Sequence, residues 1–227
     1  MKIVAVVPAA GKGVRLKQRV PKPLVLLDNY SILVHTLRAL SRSGLIENIV
    51  LVVDKNYLNR FKAQVKRFNL KKIKKIVAGG QHRFDSVRNG ILSADSDADL
   101  ILIHDGVRPF ISQKIIKDSI CAAKKIGASV VAVPVKSTIK EINPSSLLVK
   151  RTLDRNVLWE IQTPQVFKKD IILKAYKSNK YRLAFDDTSL IEKIGKNVRI
   201  VPGSYENIKI TTPEDLLFAK ALLKKKV

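Results

Sequence analysis

The sequence predicts an α/β fold, a mostly parallel sheet with helices on both faces. Three observations point to it. Apolar, β-branched runs alternate with amphipathic helical stretches along the first 133 residues. Several of those runs are continuously apolar, as strands buried on both faces must be. No linker long or polar enough to divide the 227 residues interrupts the pattern, and that length suits one large domain.

Ile3 to Val7 is a strand, and Pro8 with the small residues after it marks the loop it enters. Ser31 to Ser41 is a helix, with Ile32, Leu33, Leu37 and Leu40 on one side. Asn48 to Val53 is a buried strand. Asn56 to Phe68 is a helix, because Leu58, Phe61, Val65 and Phe68 recur at helical spacing. Ile73 to Val77 is a short strand before Gly79-Gly80, and Arg83 to Ala94 a helix. Leu100 to Ile103 is a strand ending at His104-Asp105. Ser112 to Ile126 is a helix and Ala128 to Val133 a strand. The rhythm breaks after Pro134. Ser137 to Glu141 and Leu147 to Thr152 read as a hairpin around Asn143-Pro144-Ser145. Helical patterns return at Lys168 to Lys177, Asp187 to Ile194 and Pro213 to Leu223. The last opens on a Thr212 cap, Pro213 and two acids.

Composition removes several function classes. A hydrophobic share of 46% belongs to a globular chain rather than a disordered one. No run approaches the eighteen or so apolar residues of a membrane helix. The N-terminal apolar run enters a glycine-rich loop and lacks the marks of a signal peptide, so the expected location is cytoplasmic. Cys121 has no disulfide partner in the chain and is expected to be a buried structural residue. His35, His82 and His104 are too scattered for a zinc site. Forty-three basic residues against nineteen acidic give +24, which raises a nucleic-acid partner and, as a competing function, a basic RNA-binding module. The acid-free stretch from Lys55 to Lys75, however, carries its apolar residues on the opposite side of a helix. The favoured reading is a solvated basic face, one that also attracts anionic substrates.

Three loops carry candidate chemistry, each after a strand, where open α/β sheets bind ligands. The first is Pro8-Ala9-Ala10-Gly11-Lys12-Gly13-Val14-Arg15, followed by Pro21-Lys22-Pro23. Small residues let backbone N–H groups approach phosphate, and Arg15 and Lys22 add charge. It is neither the dinucleotide fingerprint nor the P-loop, and an ordinary tight turn is the competing reading. The second is Gly79-Gly80-Gln81-His82-Arg83-Phe84-Asp85-Ser86, whose alternative is a turn before a capped helix. The third is His104-Asp105-Gly106-Val107-Arg108-Pro109. Asp105 offers a hard oxygen ligand for Mg²⁺ carried by a nucleotide, while Arg108 equally serves as its structural partner.

The ordered motifs PAAGxGxRx…PK, GGxxRxDSVxxG, HDxxRP, VPVxxT, DRxxLWxxQTPQxF and NIKIT resemble the 2-C-methyl-D-erythritol 4-phosphate cytidylyltransferase family, from Val4 to about Leu223. The resemblance implies CMP transfer from CTP to methylerythritol phosphate in the non-mevalonate isoprenoid pathway. It implies a Rossmann-like single domain over residues 1–227, with a protruding β-arm at about 135–155 that crosses into a second subunit of a homodimer. Ala9, Ala10, Gly11 and Gly13 would wrap the triphosphate, and Arg15 and Lys22 stabilise the reacting phosphates. Gly80 and Ser86 would read the cytosine and ribose, and Asp105 would lie by Mg²⁺ or another divalent cation. Thr138, Arg155 and Lys209, the last in a late Asn-Ile-Lys-Ile-Thr strand, would hold the sugar phosphate. Phe185-Asp186-Asp187 departs from the family's frequent Thr-Asp-Glu. A cytidylyltransferase for a pentitol phosphate such as ribitol 5-phosphate is the nearest alternative; Asp154-Arg155-Asn156-x-Leu158-Trp159 favours methylerythritol phosphate.

Overall fold

A computed structural model describes residues 1–11, 16, 20–177 and 184–225. Strand β1 (Ile3–Ala9) is followed by the two-residue strands β2 (Leu26–Leu27) and β3 (Tyr30–Ser31) and by helix α1 (Ile32–Ser41). Then come β4 (Asn48–Val53), α2 (Leu58–Arg67), β5 (Ile73–Ala78), α3 (Arg83–Leu92), β6 (Leu100–Ile103), α4 (Gln113–Ile126) and β7 (Ala128–Pro134). The remainder is β8 (Lys140–Ile142), β9 (Val149–Thr152), β10 (Trp159–Lys168), α5 (Lys169–Tyr176), α6 (Thr188–Lys193), β11 (Arg199–Pro202) and α7 (Pro213–Lys225).

Seven strands form the central sheet in the order β11-β7-β10-β6-β1-β4-β5. β10 runs antiparallel to both neighbours; the other pairs are parallel. The period of two explains why β1 is apolar throughout. Ile3, Ala5, Val7 and Ala9 face one layer, with Leu33 and Leu37 of α1, Phe61 of α2, and Ile116 and Ile120 of α4. Val4 and Val6 face the other, with Phe84 and Val87 of α3, Ile172 of α5 and Leu190 of α6. A smaller cluster joins Leu27, Ile32, Phe110 and Ile210 to Ala219 of α7.

The helix ends follow local chemistry. The Ser31 and Ser112 hydroxyls accept from the N–H groups of Val34 and Ile115. α4 stops at Gly127, whose φ of 99° is left-handed. At α7 the Asp215 carboxylate accepts from the N–H groups of Thr211 and Thr212. The basic side chains Arg60, Lys62, Lys66 and Arg67 of α2 are exposed while Phe61 is fully buried, as the amphipathic pattern predicts.

Four expectations need correction. Cys121 is exposed, because α4 buries the face carrying Ile115, Ile116, Ser119, Ile120 and Ala123 instead. The segment around Lys209 is not a strand; buried Asn207 anchors it by donating to Gln162 Oε1 at 3.0 Å and to the Thr163 carbonyl at 2.9 Å. β10 and β11 are strands where the sequence pattern predicts none. β10 is disguised by Gln162, Thr163, Pro164 and Gln165, three of whose side chains satisfy buried polar groups. The hairpin is shorter than expected: β8 pairs antiparallel with β9, and Asn143 Oδ1 closes the turn by accepting from Ser145 and Ser146.

Candidate active site

The three loops converge on one cleft of about 980 Å³ at the C-terminal ends of β1, β4, β5 and β6. Its walls include Ala9, Ala10, Gly11, Lys22, Gly80, Ser86, Asp105 and Lys209. Arg15 and Gly13 lie outside the described residues. Thr138 and Arg155 do not line this cleft. They sit at the root of the hairpin, both exposed, and Arg155 Nη1 donates to the Lys136 carbonyl at 2.9 Å.

Close backbone approach shapes the cleft. A Cβ on Gly79 would lie 2.4 Å from Ala10 Cβ and 2.8 Å from Ser86 Oγ, so only glycine lets the second loop meet the first. Ser86 Oγ accepts from Gly80 N–H at 3.1 Å and donates to the His82 carbonyl at 3.2 Å. Asp85 accepts from His82 N–H at 3.1 Å, which closes the start of α3. Lys22 begins a 3-10 turn, Lys22–Leu24, between Pro21 and Pro23, and both rings stiffen its backbone.

Electrostatics concentrate at Asp105, just beyond the buried strand β6. Its Oδ2 meets Lys209 Nζ at 3.1 Å and Arg108 Nε at 3.3 Å. Burial alone would raise its pKa; Lys209, Arg83 and Arg108 outweigh that and hold it well below the usual carboxylate range. Arg108 is thus a structural partner, and its Nη1 also donates to the Asn207 carbonyl at 2.7 Å. His104, fully buried, is kept from the cleft. Thr163 Oγ1 accepts from Asp105 N–H and lies 3.0 Å from His104 Nδ1, while His104 Nε2 lies 3.1 Å from the Arg108 carbonyl. This network assigns the neutral imidazole proton to Nε2.

Sequence reasoning missed Asp54, Lys55 and Asn56 after β4, and Arg83 within a motif it had found. Arg83 forms a fork with Asp187, Nη1–Oδ1 and Nη2–Oδ2 both at 2.7 Å. Asp187 is fully buried and also accepts from the Tyr176 hydroxyl at 2.5 Å. The pairing joins residues 104 positions apart, which no local spacing reveals. Among the described lining residues Lys22, Lys55, Arg83 and Lys209 face Asp54 and Asp105, a surplus of positive charge suited to a polyanion.

The family model described as 2-C-methyl-D-erythritol 4-phosphate cytidylyltransferase matches residues 3–225. The chain belongs to that family. A 2-C-methyl-D-erythritol 4-phosphate cytidylyltransferase of Alkaliphilus metalliredigens is 43% identical over 225 residues, covering 98% of this chain and 93% of the relative. One from Syntrophus aciditrophicus is 45% identical over 228 residues, covering 99% and 97%. A crystal structure of the 4-diphosphocytidyl-2C-methyl-D-erythritol synthase of Anaerococcus prevotii superposes with a TM-score of 0.86 at 34% identity, covering 98% of this chain and 96% of that one. The cytidylyltransferase of Francisella tularensis gives 0.81 at 30% identity, covering 97% and 99%. Membership of this cytidylyltransferase family makes the chain a nucleotidyltransferase with the predicted α/β fold, and favours methylerythritol phosphate over the pentitol-phosphate and RNA-binding alternatives.

Proposed function

We propose that the chain transfers CMP from CTP to 2-C-methyl-D-erythritol 4-phosphate, releasing pyrophosphate. The observation that carries this is the convergence of the Ala9–Gly11, Gly79–Ser86 and Asp105 loops on one cation-rich cleft large enough for a nucleotide. An oxygen of the sugar phosphate attacks the α-phosphorus of CTP, and the bond to the pyrophosphate oxygen breaks. That nucleophile is already ionised at neutral pH, so the protein's task is positioning and charge stabilisation. The first loop holds the triphosphate, Arg15 and Lys22 stabilise charge on the reacting phosphates, and Gly80 and Ser86 orient the base and ribose. Lys209 positions the sugar phosphate.

The residues also fit a divalent cation such as Mg²⁺. Among the described residues there is no group of three His, Cys, Asp or Glu side chains to cage an ion. Asp54 and Asp105 are the carboxylates among the described lining residues, too few to cage an ion by themselves, the arrangement expected for an ion carried mainly by nucleotide phosphates. Asp105 would hold it, and when bound it would screen the repulsion between two polyanions.

The proposal extends to one domain, in the cytoplasm, acting as a homodimer without membrane or specific nucleic acid. No helix among the described residues is long and apolar enough to cross a membrane. An isolated two-stranded hairpin is marginal in water, and the β8–β9 arm exposes Leu147, Leu148 and Val149. A second copy would cover the arm and receive Thr138 and Arg155 in its sugar-phosphate pocket.

The test is pyrophosphate release from CTP with methylerythritol phosphate, with ribitol 5-phosphate in parallel. Lys22→Ala should lower kcat by about 10²–10³ with CTP affinity nearly kept. Preference for ribitol 5-phosphate would overturn the substrate assignment, and near-normal turnover would remove Lys22 from the mechanism.

A further inference from the structure

We infer that Asp187, which lies outside the cleft, is the positioning residue that aims Arg83 at the bound nucleotide. The inference rests on the CTP-dependent activity proposed above. Arg83 opens α3 directly after the Gly79–His82 loop and lines the cleft. Asp187 does not line it and is fully buried.

The carboxylate is held from several directions. The Tyr176 hydroxyl donates to Oδ1, and the Tyr176 ring stacks on Phe84 with centroids 4.6 Å apart. Gln165 Oε1 accepts from the backbone N–H groups of Asp187 and Thr188, both at 3.1 Å, while Gln165 Nε2 donates to Asp186 at 3.0 Å. Asp186, the residue beside it, is therefore part of the mount. Strand β10 thus fixes the acid, and the acid fixes the base.

A buried ion pair stabilises a fold little better than apolar side chains of the same size, so stability alone is a weak reason for this network. Arg83 has a second aspect. Its side chain stays 32% exposed, whereas that of Asp187 is 1% exposed. The fork uses one N–H on each terminal nitrogen; a guanidinium carries five, leaving the others for a ligand. Asp105 also attracts Arg83 through space. Released from Asp187, the guanidinium would be drawn towards Asp105, across the region the nucleotide needs. The fork with Asp187 holds it in place, still cationic and partly exposed to phosphate or ribose oxygens.

A double-mutant cycle tests this, using Asp187→Asn, Arg83→Gln and the pair, with CTP affinity by calorimetry and thermal melting alongside. Asp187→Asn alone should weaken CTP binding by about tenfold. In the Arg83→Gln background it should change affinity by less than about twofold, because the residue it positions is gone. Melting should move the other way: the double variant should melt above Arg83→Gln, which leaves a buried carboxylate unpaired. Equal losses of affinity in both backgrounds, or a lower melting temperature with unchanged CTP affinity, would overturn the inference. If Asp187→Asn does not fold, Tyr176→Phe removes one bond to Asp187 and keeps the ion pair. Weaker CTP binding then supports the inference, and unchanged binding overturns it. Wild-type protein that binds CTP but does not turn over methylerythritol phosphate overturns the substrate assignment alone; failure to bind CTP overturns both.

Discussion

Acidification should destabilise this protein through one residue, His104. Burial is the main cause that lowers its pKa from 6.5 to about 4; the bond to the Arg108 carbonyl and the charge of Asp105 offset it only in part. Protonating Nδ1 would also remove the acceptor facing Thr163 Oγ1, the atom that accepts the Asp105 N–H. The unfolded chain takes up the proton near pH 6.5 and the native chain does not until about pH 4. Between those values the unfolded state binds more protons, so stability falls as pH falls. The contribution is complete above pH 6.5 and shrinks as pH approaches the native value. At pH 4.5 the loss from this residue is on the order of 2–3 kcal/mol, most of what the full shift supplies. Urea unfolding at pH 7.5, 6.5, 5.5 and 4.5 measures it, with His104→Gln as the comparison. The variant is less stable overall, but its pH profile should be flatter by roughly 2–3 kcal/mol over this range. His35 titrates in both proteins and cancels. The carboxylate of Asp105 in the unfolded chain titrates near 3.9, below the window. Parallel profiles for the two proteins would refute the assignment of acid sensitivity to His104.

Gly90→Ala should destabilise the fold although alanine is the better helix former. Its Cβ would lie 2.4 Å from Val6 Cγ1 and 2.8 Å from Val52 Cγ2. Overpacking of about 1–3 kcal/mol outweighs the gain of about 1 kcal/mol in helix propensity, so the melting temperature falls; a rise would show that α3 lifts freely from the sheet. Lys209→Ala should raise KM for methylerythritol phosphate by at least about tenfold with little change in KM for CTP, as expected for a lost charged contact. Steady-state kinetics on each substrate separates the two, and a matched loss on both would assign Lys209 to Asp105 rather than to the sugar phosphate. Leu148→Asp in the hairpin should shift the protein from dimer to monomer in light scattering. Mixing Lys22→Ala with Arg155→Ala subunits should restore part of the activity, since one site of the heterodimer then carries neither lesion; continued inactivity after verified exchange would place Arg155 in its own chain's site.

The uninterrupted apolar strands β1, β4 and β6 were legible because burial on both faces leaves no polar position in the run. The three loops of the cleft were legible because each follows a strand and combines small residues with charge. β10 was not legible. Its polar residues sit in the core because partners far along the chain satisfy them: His104 for Thr163, Ser204 for Gln162, and Asp186 and Asp187 for Gln165. The same reason hid the exposed side of Cys121. Helical periodicity identifies an apolar face, but a small residue such as cysteine sits at either edge of it, and packing against the sheet decides which.

By itself, then, the sequence determined the alternation of strands and helices, the three loops that line the cleft, and the family to which the motifs belong. These depend on local propensity, on periodicity and on short ordered motifs. The tertiary structure alone decided which charges meet. Arg83 with Asp187, and Asp105 with Lys209, are each separated by 104 residues and stand at 2.7 and 3.1 Å. Coulomb and hydrogen-bond energies depend on distance in space, and the folded sheet, rather than the order of the chain, sets that distance.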